Sequence, residues 1–338
     1  MSPAIDVHAH VMPLGILEHL QWQGRADLSE LSQGRLRIDQ EISGVAAGNV
    51  IPFVPEHTDP TARRVAREQA GVTAEAVSVP PFLFASESRD LDLVIDLARA
   101  CNDALHEYVA AAGPEVHPLY FVPVGHPEAV TEARRCVEEL GGAGVTIGTY
   151  GMGVELDAPV NEELWTYLAE RSVFTSLHPS RASGAERLRD YHLLQLFGYP
   201  VETALAASRL IFSEVLDRHD LTICLAHGGG CLLGLGPRLD LGWQRKAVSR
   251  TSEHPPRGYL ERFCYDTAVF DRRALAELVH QVGVGRVLLG TDYPFDLADT
   301  DPLESIRALE LAPEDTAAIA GGNATRLLAL TSTEVISS

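Results

Sequence analysis

Eight short apolar, β-branched runs alternate with helical patterns along a chain of 338 residues, and this rhythm predicts an α/β fold: a (β/α)8 TIM barrel with a small insertion after its first strand. The runs cover residues 4–10, 72–79, 118–124, 144–149, 173–178, 221–227, 263–268 and 286–292. Their continuous apolar character suits parallel strands covered on both faces. The length fits a single barrel domain over residues 1–330, and a hydrophobic content of 46% is ample for its core.

Helices are expected between the runs, and their start signals are local. Asp59-Pro60 offers a side-chain acceptor for the free N–H groups of a first turn, then a pre-set φ. Pro127 after His126 and Pro313 after Ala312 hold the same early position, and Asp90, Asn161, Asp271 and Asn323 are further N-cap candidates. Leu91, Val94, Ile95, Ala98, Cys101 and Leu105 recur at helical spacing, which predicts a helix over 91–112 stopped by Gly113. One connection is too long for an ordinary strand-to-helix link. It runs from Val11 to about Asp59 and includes the polar stretch 33–41, so an insertion of about residues 14–58 is expected on the C-terminal rim beside strand one. The tail, 331–338, is expected to fray.

Charge narrows the partners. Twenty-seven basic against 47 acidic residues give a formal charge of −20, which argues against nucleic acid or an anionic membrane surface. No apolar stretch reaches the roughly 18 residues of a membrane span. The opening MSPAIDVHAH has no secretory-signal character, and five cysteines without a CxxC read as reduced thiols, so a cytoplasmic location is expected.

The chemistry sits at the ends of the runs. His8 and His10 close the first, and residues two apart on a strand share a face, so both imidazoles can reach one ion. Alone, such a pair is more often a surface or core feature. Three more residues sharpen it: His178 closes TSLH, His227 closes ICLAH before Gly228-Gly229-Gly230, and Asp292 closes VLLGTD. In a (β/α)8 barrel all C-terminal strand ends meet at one rim, so the five converge. Imidazoles with one carboxylate suit zinc, with manganese and iron left open.

The set DxHxH from Asp6, HP at His178, AHGGG at His227 and LGTDYPF around Asp292 resembles the amidohydrolase-2 branch typified by aminocarboxymuconate-semialdehyde decarboxylase. The likeness runs over residues 5–328 and includes AGVTAEAVSVPP, GAGVTIGT and the final GGNATRLL. It implies that His8, His10, His178 and Asp292 bind a divalent ion, zinc first and manganese as the alternative. It implies too that His227 is an acid/base beside the ion, with Asp292 able to share the proton handling. Arg238, by the same resemblance, reaches the substrate carboxylate of a neighbouring subunit, which implies a homodimer; a guanidinium fork suits that task. Binuclear relatives bridge two ions with a carboxylated lysine at the end of strand four. The only lysine here, Lys246, follows strand six, so one ion per chain is expected.

The pocket is less legible. Phe82, Phe84 and Phe295 are candidates for an apolar wall, with core packing the alternative, and Cys231 reads as an inert, packed thiol. In DYHLLQLFGYP, His192 and Gln195 stand where the family carries tryptophans, and His192 and His57 each read as a substrate donor or as structural. No arginine stands between Arg37 and Arg63, where the family holds a carboxylate. The expected function is metal-dependent, non-oxidative decarboxylation of an aromatic or unsaturated carboxylic acid in ring catabolism, with a small-molecule carboxylate as substrate. The alternative is a metal-dependent hydrolase or hydratase that uses a metal-bound hydroxide on an amide, lactone or ring-cleavage product.

Overall fold

The computed structural model describes residues 3–46 and 48–331. Its main sheet has eight strands: β1 (Ile5–His10), β2 (Ala74–Ser78), β3 (Val116–Phe121), β4 (Gly144–Gly148), β5 (Phe174–His178), β6 (Thr222–Leu225), β7 (Cys264–Asp266) and β8 (Val287–Leu288). They pair in chain order and every pairing is parallel. The two outer strands then meet: Val7 N–H donates to the Leu289 carbonyl at 2.9 Å, Asp292 N–H to His8 at 2.8 Å and His10 N–H to Tyr293 at 2.7 Å. The ring is thus closed as a (β/α)8 barrel, which leaves no free sheet edge. Strands β1 to β4 are buried at every residue, as double coverage requires.

Most strands are shorter than the predicted runs, β8 above all, which is Val287–Leu288 within 286–292, and two of the differences have a clear local reason. β3 begins two residues before Pro118; Val116 and His117 already pair with Glu75 and Ala76, and Pro118 sits inside the strand with its carbonyl accepting from Ala143 at 3.1 Å. β6 stops at Leu225, short of His227, because the next free N–H groups turn toward a carboxylate on β7.

The connecting helices are α1 (Leu14–Trp22), α2 (Pro60–Gln69), α3 (Leu91–Ala112), α4 (Ala129–Arg134), α5 (Glu162–Glu170), α6 (Tyr199–Phe212), α7 (Leu232–Arg245) and α8 (Arg272–Val282), followed by short turns to Leu327. Asp59, Asp90 and Asp271 cap as expected, accepting from Thr61, Leu93 and Ala274 N–H. Asn161 and Asn323 do not cap. Asn161 instead joins Gly125 N–H to the Leu156 carbonyl, and Asn323 donates to the Val284 and Val287 carbonyls. An amide carries donors as well as an acceptor, so it can tie two loops where an aspartate could not. α3 ends at Gly113 (φ 110°), where its periodicity stops.

Between β1 and α2 the chain makes three short antiparallel strands, Ala26–Asp27, Arg35–Ile38 and Ile51–Pro52. Leu36, Ile38, Ile42 and Ile51 bury with Ile16, Leu17 and Leu20 of α1 against Val94, Leu97 and Cys101 of α3. This packing seats the turn Pro55–His57 on the end of β1, where Met12 N–H donates to the His57 carbonyl at 2.7 Å. Arg63 of α2, 1% exposed, donates to Glu75 Oε2 of β2 at 2.9 Å and to the His10 carbonyl at 2.9 Å. Removing either member of such a buried pair costs about 3–5 kcal/mol, so the end of β1 is firmly set. The expected frayed tail lies outside the described residues from 332 onward. Among the described residues, no helix is long and apolar enough to cross a membrane.

Candidate metal centre

Five strand ends supply six residues to one cluster at the C-terminal rim. His8 and His10 come from β1, His178 is the last residue of β5, His227 follows β6, Asp266 ends β7 and Asp292 follows β8. Three of the imidazoles spend Nδ1 on the scaffold. His8 Nδ1 donates to Asp266 Oδ2 at 2.6 Å, His178 Nδ1 donates to the Pro179 carbonyl at 2.7 Å, and His10 Nδ1 lies 3.2 Å from Ser78 Oγ. An outward Nδ1–H leaves an inward Nε2 lone pair, the arrangement that presents a histidine to a metal.

The inward atoms are unmet. Nε2 of His8, His10 and His178 and Oδ1 of Asp292 are buried without a hydrogen-bond partner, as is Nδ1 of His227. Asp292 Oδ1 lies 3.3 Å from His8 Nε2 and 3.2 Å from His10 Nε2; its Oδ2 lies 3.7 Å from His227 Nε2. Ligand-type atoms of His8, His178, His227 and Asp292 all fall within 4.8 Å of one another. His10 is outside that tightest group, yet it shares the Asp292 oxygen. Buried polar atoms left unpaired are costly, and the four gathered from His8, His10, His178 and Asp292 fit an occupant that accepts their lone pairs. Neutral imidazole nitrogens and a carboxylate are the donor set of a divalent ion.

Charge points the same way. The His178 ring lies 4.9 Å from His8 and 5.1 Å from His227, too close for several imidazolium ions. Burial, then the neighbouring rings, holds its pKa well below the ordinary histidine value, and burial lowers that of His10. Burial favours the neutral form of Asp292, but the His8 charge and contacts with His10 and His227 overcome it and keep the carboxyl well below its usual range. His8 goes the other way: burial opposes its charge, yet Asp266 and Asp292 raise it to about 10. A site that draws a proton onto His8 this strongly has the potential to hold a cation.

Asp266 has no counterpart in the sequence reading, although it is the sole carboxylate in its run and ends the strand as His178 does. Besides His8 it accepts from His227 N–H at 2.9 Å and Gly228 N–H at 2.8 Å. One carboxylate therefore orients a ring from β1 and fixes the backbone after β6. His227 (φ 57°) and Asp292 (φ 65°) are both left-handed, each costing on the order of 1–3 kcal/mol, and such strain gathers where a scaffold over-determines a site. Gly290 makes the close approach possible: a Cβ there would lie 2.7 Å from Asp266 Cβ and 2.9 Å from His8 Cβ. Asp6, in the same DxHxH motif, accepts from His8 N–H and from Thr291, joining β1 to the loop that carries Asp292. Burial raises its pKa to about 7.

The other residues singled out divide by place. The Phe295 ring lies 5.2 Å from His10 and 6.3 Å from Phe82, and both phenylalanines are half-buried beside the cluster. Phe84 is instead buried and stacked on Phe121 at 4.4 Å. His192 and Gln195 are exposed and make no hydrogen bond, ion pair or ring contact with the cluster among the described residues. Arg238 is exposed on α7. Burial raises the Cys231 thiol, as an unreactive, packed cysteine requires. Lys246, exposed after α7, is remote in sequence from the end of β4.

A family model described as amidohydrolase matches residues 5–330. The chain is 30% identical to 2-amino-3-carboxymuconate-6-semialdehyde decarboxylase of Dictyostelium discoideum, over 97% of this chain and 92% of that one. Its fold is similar to 5-carboxyvanillate decarboxylase of Sphingomonas paucimobilis, with a TM-score of 0.82 at 23% identity, covering 98% of this chain and 100% of the other. It is also similar to a dihydroxybenzoic acid decarboxylase of Polaromonas sp. JS666, solved with manganese and 2-nitroresorcinol, with a TM-score of 0.78 at 22% identity and full coverage of both chains, 100% each.

The position of Asp266 carries a prediction. Asp266→Asn keeps the size of the side chain and removes the charge that orients His8, so affinity for a divalent ion should fall about 10–100-fold in chelator competition. Unchanged affinity would reduce Asp266 to a structural tie.

Proposed function

The chain belongs to the amidohydrolase family, and we propose from that premise that it is a metal-dependent, non-oxidative carboxy-lyase of an aromatic carboxylic acid with a hydroxyl beside its carboxylate. The observation that carries the reading is the convergence of unpaired, buried Nε2 and Oδ1 atoms next to His227, at a mouth bordered by Phe82 and Phe295. We take His8, His10, His178 and Asp292 as ligands of one ion, zinc in the first place; manganese, bound by the Polaromonas neighbour, is the alternative. The choice of His10 over His227, which lies in the tighter group with His8, His178 and Asp292, is supported by His8, His10 and His178 all turning Nδ1 to the scaffold.

When bound, the ion supplies Lewis-acid polarisation of substrate oxygens. The chain's own residues supply the rest. His227, with Nε2 3.7 Å from Asp292 Oδ2, delivers a proton to the ring carbon that bears the carboxylate. The C–C bond then breaks, its electron pair stays on the ring and carbon dioxide leaves. Asp292, with Oδ2 3.7 Å from His227 Nε2, is placed to share that proton handling. Phe295 and Phe82 offer flat apolar contact to the ring. With no arginine between Arg37 and Arg63, one carboxylate and not two is to be held.

Arg238 is the group we assign to that carboxylate, from the partner of a homodimer. It has no hydrogen bond or ion pair among the described residues, and it lies between exposed Leu235 and Leu241 on one face of α7. Exposed Val201 and Leu205 extend the apolar surface on neighbouring α6. We place the protein in the cytoplasm, in keeping with five free cysteines.

Three outcomes test the reading. Metal-loaded protein incubated with ortho-hydroxy aromatic acids should release carbon dioxide from at least one, and in deuterated water the product should carry deuterium at the vacated carbon. Hydrolysis of amides, lactones or ring-cleavage products with solvent oxygen incorporated, the panel staying inert, would make it a hydrolase. His227→Asn should keep about one ion per chain and lose turnover by about 10²-fold or more. A metal-free variant would place His227 among the ligands. Finally, Arg238→Ala and His178→Ala subunits, each inactive alone, should regain activity when mixed, because a verified heterodimer holds one intact site. No recovery would confine the arginine to its own chain or deny it a role.

A further inference from the structure

One polar group beside the cluster remains without a task. His57, 2% exposed, closes the turn Pro55–His57 of the inserted segment. Its Nδ1 lies 3.1 Å from Val54 N–H and 3.3 Å from the Val54 carbonyl. That carbonyl already accepts the His57 N–H at 3.1 Å. The arrangement that satisfies both backbone groups makes Nδ1 the acceptor, which puts the ring proton on Nε2. Nε2 is buried and has no partner.

The ring's surroundings give its direction. Phe53 stacks on it at 5.6 Å, and Phe295 meets it at 5.8 Å on the way to His10, which lies 5.2 Å from Phe295. The Nδ1 edge faces its own turn, so the Nε2–H edge points away from it, and Phe295 links the His57 ring to the cluster through His10. Burial, with Arg63 and His10 nearby, keeps the ring neutral. A neutral N–H among aromatic rings suits a phenolic or other ring oxygen; a second carboxylate would call for a cation, and the chain has no arginine or lysine from 38 to 62.

We propose that His57 is a specificity-determining residue whose Nε2–H donates a hydrogen bond to a ring oxygen of the substrate, away from the reacting carboxylate. The inference rests on the reading above only for the class of ring acid.

Calorimetry with metal-loaded wild type and His57→Phe tests it, using 2-hydroxybenzoate and its derivatives with a second hydroxyl at each remaining ring position. His57→Phe keeps an aromatic ring of similar size and deletes both ring nitrogens; loss of the Val54 tie acts on all ligands alike, whereas loss of the donor acts on one isomer. With 2-hydroxybenzoate the two proteins should bind alike. One dihydroxy isomer should bind wild type about tenfold more tightly than the others, and the Phe variant should lose that gain. His57→Gln, which keeps an N–H of similar reach, should restore part of it. Thermal melts and metal content of each variant identify misfolding; if the Phe variant fails to fold, Gln and Met in its place give the same comparison. Equal loss across all isomers, or no isomer preference in wild type, overturns the proposal. Because binding is read, selective binding without carbon dioxide release would overturn the decarboxylase reading and leave His57 in its role.

Discussion

The rim depends on one carboxylate that binds no substrate in this reading. Asp266 accepts from the His8 ring and from two backbone N–H groups after β6, so β1, β6 and β7 reach the cluster in a fixed relation. Its burial would favour the neutral acid, yet the His8 charge and the backbone donors keep it ionised. An ionised, buried carboxylate of this kind is tolerated only when its lone pairs are filled, and here they are. The left-handed turn at His227 follows from the same contacts, since only a chain that leaves the strand there can point successive N–H groups at Asp266.

Seen electrostatically, the cluster is two carboxylates facing four imidazoles in a medium that screens poorly. Asp292 and Asp266 hold negative charge while His178 and His10 are driven neutral, and the deficit falls on His8. The barrel bears this local cost because its stability comes from elsewhere, from strands buried throughout and from aliphatic layers between strands and helices. Binding a cation would turn a destabilising arrangement into a stabilising one, since ligand affinity for the folded state adds to folding.

How much of this is legible in the sequence follows from how local each signal is. Strand ends are legible because apolar runs stop at polar residues, and the TIM barrel then brings His8, His10, His178, His227 and Asp292 to one rim without further information. Asp266 is hidden because its run continues past it to Ala268, so it does not read as a strand end; its role lies in a contact with His8, 258 residues away. Phe82 and Phe84 show the limit of pattern reading: they are two apart in a strand-to-helix turn, yet one borders the cluster and the other stacks on Phe121 in the core. His192 and Gln195 lie on a surface segment where alignment to tryptophans says nothing of direction. Asn161 fails as a cap because Gly125 N–H, distant in sequence, takes its Oδ1, and Asn323 turns its amide nitrogen to the Val284 and Val287 carbonyls.

The inserted segment gains its importance from where it is anchored. Its apolar face is packed on α1 and α3, which leaves the turn at His57 little freedom to move away from β1. The His57 carbonyl receives Met12 N–H, two residues beyond His10, while Arg63 just after the turn grips the His10 carbonyl. A displacement of this segment therefore reaches the end of β1 by two hydrogen bonds, at Met12 and at His10. Such coupling constrains how the pocket can diversify. Residues whose backbone is bonded to the ligand strand can change side chain but not path, and His57 is one: its main chain is fixed by Met12, and a replacement side chain must also meet Val54 N–H.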